Sequence, residues 1–482
     1  MRAGKIVAVM LLAAAVLTAA GWLRGAEYDE QYTLFLTGGT VRPVWPTGAI
    51  SAADVLALQD GRTSLAAIAQ GLRASDVHPP LYFWLIALWR GLVGDGLFAA
   101  RMFSVMCGVV ALGSVGAIAR QAAVPTTAAM LLTLGCYGFA FSDAVARGFA
   151  LAQMLNLAGI ALLLFAQRRR RCAALCGGLL LGAASFTNYL AAFVGCAGLL
   201  WTVLALRRSW IWTALGFAIW LPADLWFFLA QRNSRIGQFE PFSLASGLVR
   251  LIRYGTAAVF GGLPLYVSGL ASQAVAMLLA ALMLALLAVA IIRWRRVHSL
   301  FAMAAVAPPL GLLLLGLAFD TTPIELRYLA FATPFIGLVL ASVLPRGAVC
   351  VVLAIQVISL AGLMTRAETM QPTRMAARDA TRLAGNGVVL VPHGNDGVGI
   401  VGAFAREAPA TLRLLVVRRD DSPAQILTRT GNASHAVLVL LGQDADSRAA
   451  LPHMREAFAT SCWRPAGQGF NVLAFERICG GE

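Results

Sequence analysis

The sequence predicts an all-α polytopic membrane protein carrying a small α/β domain at its C-terminal end, and three observations predict it. Of 482 residues, 59% are hydrophobic and 13% charged, with mean hydropathy +0.75, outside the usual range for soluble domains. Long apolar runs recur over the first 365 residues, each approaching the roughly 20 residues that a helix needs to cross a bilayer. Beyond them the chain is polar enough to fold in water. Short β-rich runs at 387–391, 412–417, 436–441 and 471–475 alternate there with helical patterns such as 446–459. The expected division is a membrane module at 1–365, which includes an outer loop at 24–97, followed by an α/β domain at 366–482.

The first apolar run, 6–23, follows Arg2 and Lys5 and resembles a secretory signal. Because many spans follow, it is read as an uncleaved first helix with its N-terminus in the cytoplasm. Further runs occupy 98–119, 124–141, 149–166, 172–186, 190–206, 210–230, 274–292, 300–319, 328–344 and 348–364. The formal charge of +15 does not point to nucleic acid, since the arginines gather in short clusters between apolar runs. The strongest clusters, Arg168 to Arg171, Arg207-Arg208 and Arg293 to Arg296, belong in the cytoplasm by the positive-inside rule. Their parity makes the short runs 81–93 and 257–270 non-spanning, the first as an interfacial or re-entrant helix. About eleven spans result, with the C-terminal domain outside.

That topology collects Asp29, Glu30, His78, Arg101, Asp143, Arg147, Asn188, Tyr189, Arg327 and Tyr328 near one outer surface. Acidic residues beside a membrane span are costly, so Asp29-Glu30, just past the first run, form the leading site hypothesis. An acceptor hydroxyl that attacks a sugar carbon needs a carboxylate to take its proton, and Asp29 fits, with Glu30 to orient it or hold a cation. The alternative is that the pair caps a surface helix. Asp143 and Arg147 stand one helical turn apart and are expected on one face of the helix entering the fourth span, either as an i, i+4 ion pair or with Arg147 gripping a phosphate. Arg101 offers the same planar donors. His78 sits before Pro79-Pro80, which bar regular helix, and is either a phosphate partner or a cap. Arg327 either snorkels or contacts the same group, and Asp224 satisfies a helix broken at Pro222. Apolar residues at helical spacing, Val55, Leu56 and Leu58 then Leu65, Ile68 and Leu72, read as two short amphipathic helices on the membrane surface, interrupted at Asp60-Gly61.

Taken in order, Asp29-Glu30, His78-Pro79-Pro80-Leu81, Arg101-Met102-Phe103-Ser104, Arg147 and Glu325-Leu326-Arg327-Tyr328 make the chain similar to the GT-C membrane glycosyltransferases. The resemblance is to the branch of protein O-mannosyltransferases and aminoarabinose (lipid A) transferases, and it covers most of residues 1 to 345. Many relatives carry Arg-Pro-Tyr where this chain has Arg147-Gly148-Phe149, and histidine before tyrosine where it has Asn188-Tyr189. The resemblance implies a bacterial inner-membrane enzyme that transfers a sugar from a polyprenyl-phosphate donor to an envelope acceptor (lipid, glycan or protein) on the periplasmic face, with inversion. Asp29 would be the catalytic carboxylate, with Arg101 supporting the donor phosphate. A lipid-linked donor requires no nucleotide motif, and the sequence contains no convincing Gly-rich phosphate loop.

A transporter or flippase of lipid-linked substrates is the rival class; it would place ionisable residues near the midplane in two related halves, whereas here the charges cluster at one surface. A membrane-anchored binding protein whose outer domain does the work is a second. No spacing demands a metal, although Asp29, Glu30 and Asp143 could supply oxygen ligands to a divalent cation. Of eight cysteines, Cys172 and Cys176 are spaced for a helix face rather than a metal knuckle, and Cys462 and Cys479 can form a disulfide in an oxidising compartment. His393 follows a strand end, where such sheets often bind ligands, and reads equally as a solvent-exposed loop histidine.

Overall fold

A computed structural model describes residues 2–167, 170–206, 209–232, 239–366 and 372–479. Arg168, Arg169, Arg207 and Arg208, on which part of the topology argument rests, lie outside the described residues. The chain forms two compact units. One comprises Met1–Leu23, Ala69–Leu85 and Phe98–Arg366; the other comprises Arg24–Ile68, Ile86–Leu97 and Ala367–Glu482.

The first unit is helical. Among the described residues six helices are long and apolar enough to cross a bilayer: Gly4–Leu23, Leu97–Gln121, Phe149–Ala166, Gly269–Ile292, Ser299–Phe319 and Arg346–Thr365. Each coincides with an expected run. Trp210–Ala218 and Leu221–Gln231 form a pair bent by 46° beside Pro222, and Arg171–Ser185, Tyr189–Ala205 and Thr333–Val343 are shorter apolar helices.

The run at 124–141 is not one helix. It divides into Thr126–Leu134 and a single turn at Tyr137–Ala140, because the carbonyl of Leu132 leaves the helical pattern to accept from Gln356 Nε2 at 3.0 Å, and the same amide also reaches the carbonyl of Val259 at 2.8 Å. Gly135 at the break has no room for a side chain beside Gln356. The run at 257–270 is broken, as its glycines imply: the Leu244–Val259 helix ends before Gly261 and Gly262, both at positive φ, and a 3-10 turn follows at Leu263–Tyr266.

The second unit is a six-stranded sheet with flanking helices. In chain order the strands are β1 (Ile50–Ser51), β2 (Val388–Pro392), β3 (Arg413–Val417), β4 (His435–Val439), β5 (Trp463–Gly469) and β6 (Val472–Arg477), arranged β1-β3-β2-β4-β6-β5. β2 pairs in parallel with both β3 and β4, while β1, β6 and β5 pair antiparallel at the margins. The parallel strands read as unbroken aliphatic runs because both of their faces are covered. On one face Leu390, Leu415 and Leu438 pack with Ile426 and Met454 from the helices after β3 and β4. The Gly399–Glu407 helix after β2 packs instead with Thr373–Ala384. The connection after β2 thus leaves the sheet on the side opposite to those after β3 and β4.

The grouping differs from a cut at residue 365. Ile50 pairs with Leu414 and Ser51 with Arg413, so β1 from the outer loop completes this sheet. Val55 is fully buried in the Ala52–Ala57 helix, which packs on Gly399–Glu407. The apolar spacing read as a membrane-surface helix therefore faces protein.

Candidate functional site

In the membrane unit, Pro79 and Pro80 start the Leu81–Val93 helix, and the amide of Leu81 donates to the carbonyl of Phe186 at 3.3 Å. The next residue, Tyr82, is fully buried and lies against Gly148, where an added Cβ would come within 3.3 Å of the Tyr82 Cβ and 3.4 Å of the Thr187 carbonyl. Arg147 and Asn188 flank these contacts. Phe149 stacks on Phe331 at 5.8 Å between centroids, and Phe331 closes the 3-10 segment Leu326–Phe331 that carries Arg327 and Tyr328. Phe103, two residues after Arg101, lies 6.0 Å from the Tyr82 ring. The segments bearing His78, Arg101, Arg147, Asn188 and Tyr328 therefore border one another around Tyr82.

Within that cluster Arg101 is buried, its guanidinium donating to the carbonyl of Gly21 at 2.7 Å. Arg327 pairs with Glu325 at 2.7 Å and lies 5.6 Å from the Tyr328 ring. His78 Nδ1 is 3.1 Å from the Asp76 carboxylate. A residue that the sequence reading missed, Gln231, links two that it named. Its amide donates to the carbonyls of His78 and Leu72, each at 3.0 Å, and its oxygen accepts from the Tyr189 hydroxyl at 2.9 Å. The only sequence signal is a glutamine closing an apolar run. Asp224 accepts from the Ser185 hydroxyl at 2.5 Å.

The expected Asp143–Arg147 helix face does not form. Residues 141–148 make turns, and the helix begins only at Phe149, so the spacing of four does not align the two side chains. Asp143 is fully buried, and neither carboxyl oxygen has a hydrogen-bond partner among the described residues. It fills the space left by Gly108, where a Cβ would meet it at 2.7 Å. Burial pushes its carboxyl well above the ordinary carboxylate range, so the neutral acid fits this site.

Asp29 and Glu30 belong to the other unit, in the first turn of the helix Tyr28–Thr37. Glu30 is fully buried and closes a capping box: its carboxylate accepts from the amide of Glu27 at 3.0 Å while Glu27, the N-cap, is ion-paired with Arg24. Asp29, one residue earlier, is half-buried. Tyr28, which opens this helix, is a second residue that the sequence alone does not single out. Its hydroxyl donates to Asp444 Oδ2 at 3.0 Å, and burial first, then the nearby Asp396 and Asp444, raise its pKa far above the ordinary phenol value. Among the described residues no three His, Cys, Asp or Glu side chains come together as a metal site. Cys462 and Cys479 form a disulfide.

Residues 77–226 match the family model described as dolichyl-phosphate-mannose-protein mannosyltransferase. No curated protein matches the chain. Among solved structures, it is similar to ArnT from Cupriavidus metallidurans bound to undecaprenyl phosphate, with 12% identity over the full length of both chains and a TM-score of 0.55. The apo form of the same ArnT matches over the full length of both chains with 15% identity and a TM-score of 0.46. Residues 77–226 thus resemble the mannosyltransferase family, and the whole of this multi-pass membrane protein is similar in fold to ArnT.

Proposed function

We propose that the chain is an integral-membrane glycosyltransferase that moves a sugar from a polyprenyl-phosphate carrier to an envelope acceptor on the periplasmic face, with inversion. The observation that carries this reading is the mannosyltransferase family signature on 77–226, which runs through His78, Arg101, Asp143, Arg147, Asn188 and Tyr189. The ArnT that shares the fold holds undecaprenyl phosphate, which supports the carrier class. The Cys462–Cys479 disulfide supports an oxidising compartment for the sheet unit, which fits the expected topology of about eleven spans from a cytoplasmic N-terminus without fixing the number of spans.

In this reading an acceptor hydroxyl attacks the anomeric carbon as the bond to the carrier phosphate breaks. Asp29 takes the hydroxyl proton, and the phosphate leaves with its lipid. Negative charge grows on that phosphate, and guanidiniums from Arg101, Arg147 and Arg327, with His78 and Tyr328, stabilise it. Glu30 holds the helix turn that carries Asp29, and Asp143, Asn188 and Tyr189 shape the surrounding wall.

Mass spectrometry of envelope lipids and glycans from cells with the wild-type protein, with Asp29→Asn, and with no protein tests the reading. A sugar modification present only with the wild-type chain is expected. Identical envelopes in all three would overturn it.

A further inference from the structure

Open α/β sheets bind ligands in the crevice beyond the carboxyl ends of neighbouring strands whose following connections leave on opposite faces. Here that crevice lies between β2 and β4. After β2 the chain runs through 393–397 into the Gly399–Glu407 helix on one face; after β4 it runs through Asp444 into Ala445–Ala457 on the other. The crevice is already filled by the protein's own Tyr28.

The fit is close. Asp444 Oδ2 accepts from the Tyr28 hydroxyl at 3.0 Å and from the amide of Asn395 at 2.9 Å, while Oδ1 accepts from the amide of Ser447 at 2.7 Å. The Tyr28 ring covers Gly399, where a Cβ would stand 2.4 Å from ring carbon Cε2. Two residues earlier the amide of Ala26 donates to Glu407 Oε1 at 2.6 Å, and Arg374 holds the other carboxylate oxygen at 2.8 Å. One and two turns later Gln31 and Phe35 press on Gly402. Tyr28, Gln31 and Phe35 thus form one face of their helix, fixed to Gly399–Glu407. Asp29 projects about 100° around the helix from Tyr28, so anchoring that face fixes the direction of Asp29.

We infer that the sheet domain is the holder of the catalytic turn, with Tyr28, seated in the domain's own ligand crevice, acting as the positioning residue for Asp29. The inference rests on the reading of Asp29 as the base. It assigns the C-terminal domain the task of orienting a carboxylate rather than of recognising an acceptor.

The test uses the full-length protein in nanodiscs, with the polyprenyl-phosphate-sugar fraction extracted from producing cells as donor. Tyr28→Phe keeps the ring and removes the hydroxyl; it is expected to lower kcat about tenfold with KM for the donor within twofold. Asp444→Asn should do the same, and the double variant should be no worse than either single one. Glu407→Gln, which loosens the Ala26 anchor, should lower kcat in the same way. Phe458→Leu, in the core on the other face of the sheet, should lower the melting temperature and leave kcat unchanged. Wild-type kcat in Tyr28→Phe while Asp29→Asn is inactive would overturn the inference and leave the base reading standing. Wild-type kcat in Asp29→Asn would overturn both. Equal losses of kcat and melting temperature in Tyr28→Phe and Phe458→Leu would reduce Tyr28 to a stability contact and sink the inference.

Discussion

The ring of Tyr28 lies where a side chain on Gly399 would be, 2.4 Å from an added Cβ. A glycine at the first position of the Gly399–Glu407 helix gives up helix propensity to let the ring approach the backbone. Gly399→Ala should therefore destabilise the protein by about 1–3 kcal/mol despite being the better helix former, because the ring must move. A thermal unfolding curve at or above the wild-type midpoint would contradict this close approach.

Gln231 serves three partners at once, the carbonyls of Leu72 and His78 and the hydroxyl of Tyr189. Gln231→Leu removes one hydrogen-bond partner from each, with Leu72 the most buried of the three, and a total loss of about 1–3 kcal/mol is the expected scale. Tyr189→Phe, which leaves the glutamine with its two carbonyls, should cost less. The comparison is read from melting temperatures of the two variants in one detergent.

Asp143 packs against Gly108, and burial raises its carboxyl well above the ordinary carboxylate range. Asp143→Asn keeps the size and removes the ionisable group and should fold as the wild type does, whereas Gly108→Ala forces the carboxyl aside and should cost about 1–3 kcal/mol. If Asp143→Asn unfolds the protein while Gly108→Ala is silent, the carboxylate has a charged partner after all. Size-exclusion profiles and melting curves of both variants decide between these outcomes.

Burial, with Arg418 nearby, holds the His393 imidazole below its ordinary value of 6.5. A histidine whose pKa falls on folding adds stability above the unfolded value and withdraws it as pH drops through the folded one. The sheet unit should accordingly lose stability from pH 7 towards pH 5. His393→Gln should flatten that slope, as followed by urea midpoints across the range. A slope unchanged by the substitution would remove His393 as its source.

The Cys462–Cys479 disulfide closes a loop with a sequence separation of 17, for which chain entropy gives about 3 kcal/mol. Replacing both cysteines by serine should lower the melting temperature of the sheet unit. Mild reductant should reproduce the shift in the wild type and leave the double variant unaffected.

The membrane character and most helix positions are legible in the sequence because hydrophobic length is a local property, and 6–23 or 348–364 declares itself without reference to partners. The run at 124–141 does not, since its break comes from Gln356, more than two hundred residues away. The β2, β3 and β4 runs are legible as aliphatic stretches bounded by turn residues. The pairing of Ile50 with Leu414 is not, because a two-residue edge strand has no periodicity to read. The same holds at the site. Asp29-Glu30 stands out as charge beside a span, whereas Tyr28 and Asp444 acquire meaning only when a tertiary hydrogen bond joins residues 416 positions apart. The spacing of Asp143 and Arg147 misleads, because a period of four is informative only where helix exists, and 141–148 is turn.

The pairing of Ser51 with Arg413 also sets an order of events during synthesis. The early loop leaves the ribosome some 360 residues before the strand that receives it, an interval of roughly tens of seconds at ordinary elongation rates. Throughout that wait the loop has no sheet to join, and a nascent chain with every transmembrane helix in place still lacks the support of the helix Tyr28–Thr37. On the proposed role of Asp29, activity waits for the strand at Arg413–Val417, so chains that stop between Thr365 and Arg413 should insert but transfer no sugar.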